Sequence, residues 1–271
     1  MRMTLGYRDE DGARLASLLW EFGPGWRMIS SAMLGGGIGP REWVLNAQVI
    51  AAYARMDPLD HLAELGPEGA GPGVGMLTAA SVDRYVQASD GGVDAVATVG
   101  LRVPTWAASP EGRPDPELRP AFLAPASPGR AAHDPERLTD RGRPDPVPPG
   151  LPAPGTINIV VAVPVPFTDA ALVNAVMTVT EAKTQALIEA GFPCTGTASD
   201  AVCVAVPEAV REPVREAGAG HGAEDAAGRA AADGGPELFG GPRSTWGARI
   251  ARAVHQAVLA GAEQWRAVHL G

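Results

Sequence analysis

The fold is decided by two apolar runs, Thr156-Ile157-Asn158-Ile159-Val160-Val161-Ala162-Val163 and Ala201-Val202-Cys203-Val204-Ala205-Val206, and by the helical pattern between them. Both runs are nearly all apolar and rich in β-branched residues, which is typical of strands covered on both faces. Thr168 can cap a helix that runs to about Ala190, where Gly191 and a later proline end it. The order strand, helix, strand predicts a βαβ unit with parallel strands and a right-handed crossover.

Three further apolar runs predict more strands. Trp26–Ser31 and Trp43–Val49 are short and bounded by glycines, and Val93–Leu101 is the third. The glycine-rich segment Leu34–Pro40, which lies between the first two runs, is predicted to be a loop. These runs extend the predicted sheet beyond the two strands of the βαβ unit.

Two more helices complete the predicted fold. Asp57-Pro58 resembles a capped helix start with proline in the first turn. Ser244–Val268 is amphipathic, with apolar residues recurring at three- and four-residue steps. The positions of this stripe are Ile250, Val254, Val258, Gly261 and Trp265. The predicted fold class is α+β: a mixed β-sheet covered by helices and containing one parallel βαβ unit.

Two segments lack the apolar pattern of a folded domain. Residues 107–154 carry thirteen prolines, and residues 211–236 alternate Ala, Gly, Glu and Asp without hydrophobic anchors. Such segments bury too little apolar surface to offset the entropy lost on ordering. We therefore predict a single domain over residues 12–271, interrupted by disordered insertions at 107–154 and 211–236.

The composition excludes several classes of partner. The formal net charge is −9 with an isoelectric point near 5.1, and basic residues do not cluster with aromatics, so neither nucleic acid nor an anionic membrane is an expected partner. Residues 1–10 turn polar before a signal-peptide core could form, and no apolar run of about 18 residues could span a bilayer. The expected location is cytoplasmic, and the oligomeric state stays open.

Metal and thiol chemistry have little support. Cys194 and Cys203 are too few for a disulfide framework and match no zinc spacing, so both are expected to be ordinary buried residues. The five histidines are scattered, and none lies at ligand spacing from another ligand. No Gly-x-Ser-x-Gly elbow with a credible later histidine is present. We expect neither a metal nor a cofactor.

Lys183 is the first candidate for chemistry. It is the only lysine, so the other 21 of the 22 basic residues are arginines, and only the ammonium can lose its proton near neutrality. Lys183 falls on the apolar stripe of the predicted helix between Val179 and Leu187, which aims it inward. Asp200, before the second strand, is the natural partner. Two interpretations stay open: an ion pair that only braces the loop, or a proton-transfer or nucleophile-activating pair.

Glu181 follows a different pattern on the same helix. It shares a polar stripe with Asn174, Thr178, Gln185 and Glu189, so periodicity alone favours a solvated carboxylate.

Polar residues beside glycines are candidate ligand contacts. The turn Thr195–Asp200 offers hydroxyls and free backbone amides that suit an anion or an amide carbonyl. The other candidates are Ser30, Ser31, Asn46, Thr156 and Asn158, although such residues also satisfy turn backbone. The triple glycine at 35–37 matches neither a Walker nor a Rossmann spacing, and it favours close approach of the backbone to a bulky ligand.

Several of these segments, in this order, resemble the adenosylcobinamide amidohydrolase family. The motifs that carry the resemblance are Ser30–Gly37, Asn46, Leu77–Ala80, Thr98–Leu101, Gly155–Ile159, Thr180–Thr184, Thr195–Thr197 and Gly241–Gly247. The resemblance covers nearly all of the chain outside the two insertions. It implies hydrolysis of the amide between aminopropanol and a corrin-ring propionate, so a corrinoid is expected as substrate.

The resemblance also favours a function for Glu181 together with Lys183, as the Glu-Ala-Lys motif. Residue patterns and resemblance together give Lys183, Asp200 and Glu181 as the expected catalytic residues. The expected substrate-binding residues are Ser31, Gly36, Gly37, Asn46, Thr156, Asn158, Thr195, Gly196 and Thr197.

The chain departs from the family pattern at two places. Arg102-Val103 stands where Ser-Asn is expected, and Arg243-Ser244 stands where a histidine is expected. These departures leave open an altered substrate preference or a loss of activity. The alternatives are a corrinoid-binding protein without catalysis and, third, a small-molecule kinase that uses the glycine loop.

Overall fold

The computed structural model describes residues 1–111, 155–209 and 235–270. These residues form two β-sheets, three α-helices and one short 3-10 turn, which confirms the predicted α+β class. The predicted insertions at 107–154 and 211–236 lie almost entirely outside the described residues and stay predictions. The strands are β1 (Arg2–Glu10), β2 (Ala13–Glu21), β3 (Trp26–Ser30), β4 (Gly37–Pro40), β5 (Trp43–Gln48), β6 (Gly73–Thr78), β7 (Val86–Asp90), β8 (Val93–Val99), β9 (Ile157–Ala162) and β10 (Ala201–Pro207). The helices are α1 (Pro58–Leu65), α2 (Asp169–Glu189) and α3 (Thr245–His269), and the 3-10 turn is Val82–Arg84.

The predicted βαβ unit is present. β9 and β10 pair in parallel and α2 connects them, so the apolar pattern at 156–206 was interpreted correctly. The Thr168 hydroxyl accepts a hydrogen bond from the amide of Ala171, which caps α2 as predicted. β5 and β6 form a second parallel pair joined through α1, which the sequence did not predict.

The two sheets stack between helices. Strand order is β1-β2-β5-β6 in the four-stranded sheet and β4-β3-β10-β9-β8-β7 in the six-stranded sheet. One face of the six-stranded sheet packs against α2 and α3, and the other packs against the four-stranded sheet. α1 packs against the far side of the four-stranded sheet through Leu62. This layering buries both faces of β9 and β10, which explains why their sequences are almost wholly apolar.

Two parts of the N-terminal region differ from the prediction. Gly37–Pro40, predicted as loop, is strand β4 and pairs with β3 in antiparallel register. β1 and β2 form a hairpin that was not predicted, because β1 alternates exposed and half-buried residues. Its turn, Asp11-Gly12, has positive φ at both residues (51° and 74°), as a type I′ turn requires. The Asp-Gly dipeptide was therefore the sequence feature that could have predicted this hairpin.

None of the three helices in the described ranges is long and apolar enough to cross a membrane.

Candidate functional site

The motif residues from distant segments meet at one edge of the six-stranded sheet. Asn158 of β9 pairs with Thr98 of β8 on one side and with Ala201 of β10 on the other. Ser30 lies at the end of β3, where it pairs with Gly37 of β4. Because β9 and β10 begin where β3 and β8 end, polar residues at these termini become neighbours. The sheet topology thus assembles one polar edge from four separate segments.

A buried ion pair lies at this edge. Lys183 is only 7% exposed, as its position on the apolar stripe of α2 predicts. Its Nζ donates to Oδ2 of Asp200 at 2.5 Å, and the two side chains are 9% and 10% exposed. The pairing of Lys183 with Asp200 is therefore as expected from the sequence. Nζ makes no other hydrogen bond within the described residues, so two of its three donors have no partner there.

The Asp200 carboxylate organises the turn before β10. Its Oδ1 accepts from the amide of Ile157 at 2.9 Å and from Oγ1 of Thr197 at 2.5 Å. Its Oδ2 accepts from the amide of Thr197 at 3.1 Å as well as from Lys183. These four bonds fill about all the acceptor sites of a carboxylate. Thr197, Asp200 and Lys183 thus form one chain of hydroxyl, carboxylate and ammonium.

Gly196 is required for this chain to close. A Cβ at this position would lie 2.2 Å from Oδ2 of Asp200 and 2.5 Å from Nζ of Lys183. Real Cβ atoms do not approach other atoms this closely, so only glycine allows the backbone to cover the ion pair.

A buried amide cluster connects the two sheets on the face of β9 opposite to α2. Nδ2 of Asn46 donates to Oγ1 of Thr98 at 3.0 Å, while Nδ2 of Asn158 donates to Oδ1 of Asn46 at 2.8 Å and to the carbonyl of Leu77 at 3.2 Å. The remaining oxygen, Oδ1 of Asn158, is buried and has no partner among the described residues. Buried acceptors are normally satisfied, so this oxygen is an exception among the described residues.

Three other predicted contact residues form hydrogen bonds within the protein. Oγ of Ser31 accepts from the amide of Val202 at 3.0 Å. Oγ1 of Thr156 lies 2.7 Å from Oγ of Ser199. Oγ1 of Thr195 donates to the carbonyl of Thr105 at 3.1 Å. These bonds position the 195–200 turn and the start of β10.

The glycine loop contributes exposed backbone. Gly36 and Gly37 are exposed, whereas Gly35 packs so closely that a Cβ would lie 1.9 Å from the carbonyl oxygen of Gly73. Gly37 has a φ of 82°, which only glycine adopts readily. The loop therefore has two closely packed glycines, since a Cβ at Gly36 would also lie 2.6 Å from the carbonyl oxygen of Ala32, and one glycine, Gly37, with open space around it.

Glu181 does not join the ion pair. It lies on the exposed face of α2, beside Thr184, Gln185 and Ile188, as its polar stripe indicates. Thr178, assigned to the same stripe, is instead buried: its Oγ1 donates to the carbonyl of Gly240 at 2.8 Å. The assignment of Thr178 to the polar stripe was wrong, because the segment before α3 covers this side chain.

The two cysteines are buried thiols, as expected. Burial raises the pKa of Cys194 to about 11 and that of Cys203 to about 12. Neither side chain forms a thiolate at neutral pH, so neither is suited to act as a nucleophile. Within the described ranges, no three His, Cys, Asp or Glu side chains converge into a metal-binding group.

A cavity of about 290 Å³ opens next to the polar edge. Arg14, Arg84 and Arg102 line it, and we call it the basic cavity. Lys183 and Asp200 do not line it, but Gly100 does, and the amide of Gly100 donates to the carbonyl of Thr156 at 2.9 Å. Sequence reasoning missed this cavity because its arginines come from three segments with no shared motif.

The comparison with protein families gives a direct match. The family model CbiZ, adenosylcobinamide amidohydrolase, matches residues 3–233. The chain belongs to the adenosylcobinamide amidohydrolase family. The comparison with curated proteins finds no significant match. The family is an amidohydrolase family, so its members are grouped with enzymes that hydrolyse amide bonds.

The two departures from the family pattern have definite positions. Arg102 is exposed and lines the basic cavity. Ser244 caps α3, since its Oγ accepts from the amide of Gly247 at 3.1 Å. In this family member, Arg102 therefore adds positive charge to the basic cavity, and Ser244 caps a helix.

Proposed function

We propose that the chain hydrolyses the amide bond between aminopropanol and a corrin-ring propionate of adenosylcobinamide, giving adenosylcobyric acid in cobamide salvage. The family match over residues 3–233 supports the substrate class. The observation that carries the chemistry is the hydrogen-bonded chain from Thr197 through Asp200 to Lys183. A nucleophile beside a base that a third group orients is the usual arrangement for covalent catalysis of acyl transfer.

In the first half of the proposed reaction, Oγ1 of Thr197 attacks the amide carbon while its proton moves to Asp200. The carbonyl oxygen becomes an oxyanion, and the free N–H donors of Lys183 stabilise it. The carbon–nitrogen bond then breaks, and the proton on Asp200 passes to the departing amine. Aminopropanol leaves, and the propionate stays bound as an ester of Thr197.

In the second half, water attacks the ester carbon and gives its proton to Asp200. The ester bond breaks and Thr197 regains the proton, so the products are a free carboxylic acid and the original side chains. Lys183 donates to the second oxyanion as it does to the first.

The second candidate function is corrinoid binding without catalysis. One observation favours it: the Asp200 carboxylate already accepts four hydrogen bonds, as a carboxylate that only braces a loop would. In that case the site would hold the corrinoid and release no amine.

One experiment separates the two. The purified chain is incubated with adenosylcobinamide, and free aminopropanol and adenosylcobyric acid are quantified. We expect release by the wild type, loss of more than about a thousandfold in Thr197→Ala, and substantial activity in Thr197→Ser, which keeps the hydroxyl. Binding of the corrinoid with no amine would establish the second candidate. Full activity in Thr197→Ala would remove Thr197 as nucleophile.

A further inference from the structure

The basic cavity has an unusual charge for this protein. The chain carries a net charge of −9, yet the cavity wall holds the guanidiniums of Arg14, Arg84 and Arg102. Asp83 is the one carboxylate among its lining residues, and it accepts a hydrogen bond from Ser81. With three guanidiniums and one carboxylate, the cavity wall carries a net charge of +2.

The three arginines have no acidic partner among residues 1–111, 155–209 and 235–270. Arg14 stacks over the ring of Tyr7 at 4.4 Å, which fixes its plane and leaves its N–H donors available. Arg84 is half-buried beside the start of β7, and Arg102 follows the end of β8. Their convergence comes from the meeting of both sheets with α3.

Neutral donors add to this wall. Oε1 of Gln48 accepts from the amides of Ala16 at 3.4 Å and Val82 at 3.3 Å, which leaves its Nε2 without a partner among the described residues. His269 also lines the cavity, and burial, together with the charges of Arg102 and then Arg84, lowers its pKa. The histidine is therefore neutral at pH 7 and does not change the charge of the wall.

We propose that the basic cavity binds the phosphate group of a small phosphate monoester. Guanidinium forks match phosphate oxygens, and a phosphate monoester carries about −1.5 to −2 charge near neutrality, which balances the wall. A carboxylate would leave one positive charge unmatched. The volume of about 290 Å³ lies at the lower end of ligand pockets, so the ligand is nucleotide-sized or smaller.

The family motifs Leu77–Ala80 and Thr98–Leu101 contribute part of the cavity lining, but the residues proposed to carry the amide chemistry do not. Lys183, Asp200 and Thr197 do not line the basic cavity, so either proposal can fail without the other. The cavity does adjoin Val99 and Gly100, so a bound phosphate would lie next to the strand end that carries Thr98.

Calorimetric titration of the full-length chain tests the proposal, in a low-salt buffer without phosphate. The probes are inorganic phosphate, AMP and adenosine. We expect saturable binding of phosphate or AMP at one site, no comparable binding of adenosine, and weaker binding as salt is added. Equal affinity for phosphate and AMP identifies free phosphate as the ligand, and tighter binding of AMP identifies a monoester.

The variants Arg84→Gln and Arg102→Gln locate the site. Each is expected to weaken binding by about tenfold, because each removes a charged hydrogen-bond donor, and the double variant by more. Arg102 is exposed, so its single variant keeps the test valid if the double variant fails to fold. Arg2→Gln, an exposed arginine outside the cavity, is the control and should bind as the wild type. The proposal is overturned if neither phosphate nor AMP binds, if adenosine binds as tightly as AMP, or if Arg102→Gln binds like Arg2→Gln.

Discussion

Replacing Asp200 with alanine should lower the free energy of unfolding by about 3–5 kcal/mol. The change strands the ammonium of Lys183 in a site where that residue is only 7% exposed. It also removes the acceptor of the Ile157 and Thr197 amides. The cost of an unpaired buried charge dominates this loss, because it exceeds the cost of an unsatisfied neutral amide.

Lys183→Met should cost less. Methionine keeps most of the volume of the side chain, and Asp200 retains three of its four donors, two from Thr197 and one from Ile157. The expected loss is about 1–3 kcal/mol, the cost of removing one partner from a buried polar group. The double variant should lose less than the sum of the single losses, with a coupling energy of about 0.5–3 kcal/mol.

The matched control is the Arg252–Asp90 ion pair. Its two hydrogen bonds, at 2.7 and 2.8 Å, are close in length to the Lys183–Asp200 bond at 2.5 Å, but the arginine side chain is 55% exposed. Exposed pairs contribute little to stability, so Arg252→Met should leave the unfolding midpoint nearly unchanged. The two ion pairs differ mainly in burial, so the comparison measures the effect of burial on the free energy of unfolding.

Urea unfolding followed by circular dichroism and tryptophan fluorescence measures these differences, and coincident transitions show whether a two-state treatment holds. If Asp200→Ala were as mild as Arg252→Met, the Lys183 ammonium would be solvated. The description of a buried, coupled pair would then be wrong.

Three other substitutions or reactions have definite expected outcomes. Gly196→Ala should reduce amine release and the unfolding midpoint, because its Cβ would force Lys183 and Asp200 apart; unchanged activity would contradict this. Glu181→Gln should keep wild-type release, since the carboxylate is exposed, and a hundredfold loss would restore it as a catalytic residue. Iodoacetamide at pH 8 should label Cys194 and Cys203 only after unfolding, because burial raises both thiol pKa values, to about 11 and about 12; labelling of native protein would refute that burial.

The parts of the fold that were predictable have patterns set by burial. β9, α2 and β10 follow from apolar runs and one capping threonine, because both faces of these strands are covered. β4 was missed since Gly-Ile-Gly-Pro has no strand preference of its own and is extended through pairing with β3. The second parallel pair, β5 and β6, depends on α1 packing back onto the sheet, which a local pattern does not encode.

The candidate site was predictable where a single element determines it. The apolar stripe of α2 was enough to place Lys183 inside, and the turn before β10 was enough to suggest Asp200. The hydroxyl of Thr197 as a partner of the carboxylate needed coordinates, because its direction depends on turn geometry. The basic cavity needed the tertiary fold, since its arginines share neither an element nor a spacing.

Release of aminopropanol from adenosylcobinamide by the wild type and by Lys183→Met tests the central claim most directly. Circular dichroism first verifies that the variant is folded, and a separate titration verifies that it still binds the corrinoid. We expect release by the wild type and a loss of about 100- to 1000-fold in the variant, because the ammonium stabilises the oxyanion. Equal release by both proteins would contradict a catalytic function of the Lys183–Asp200 pair.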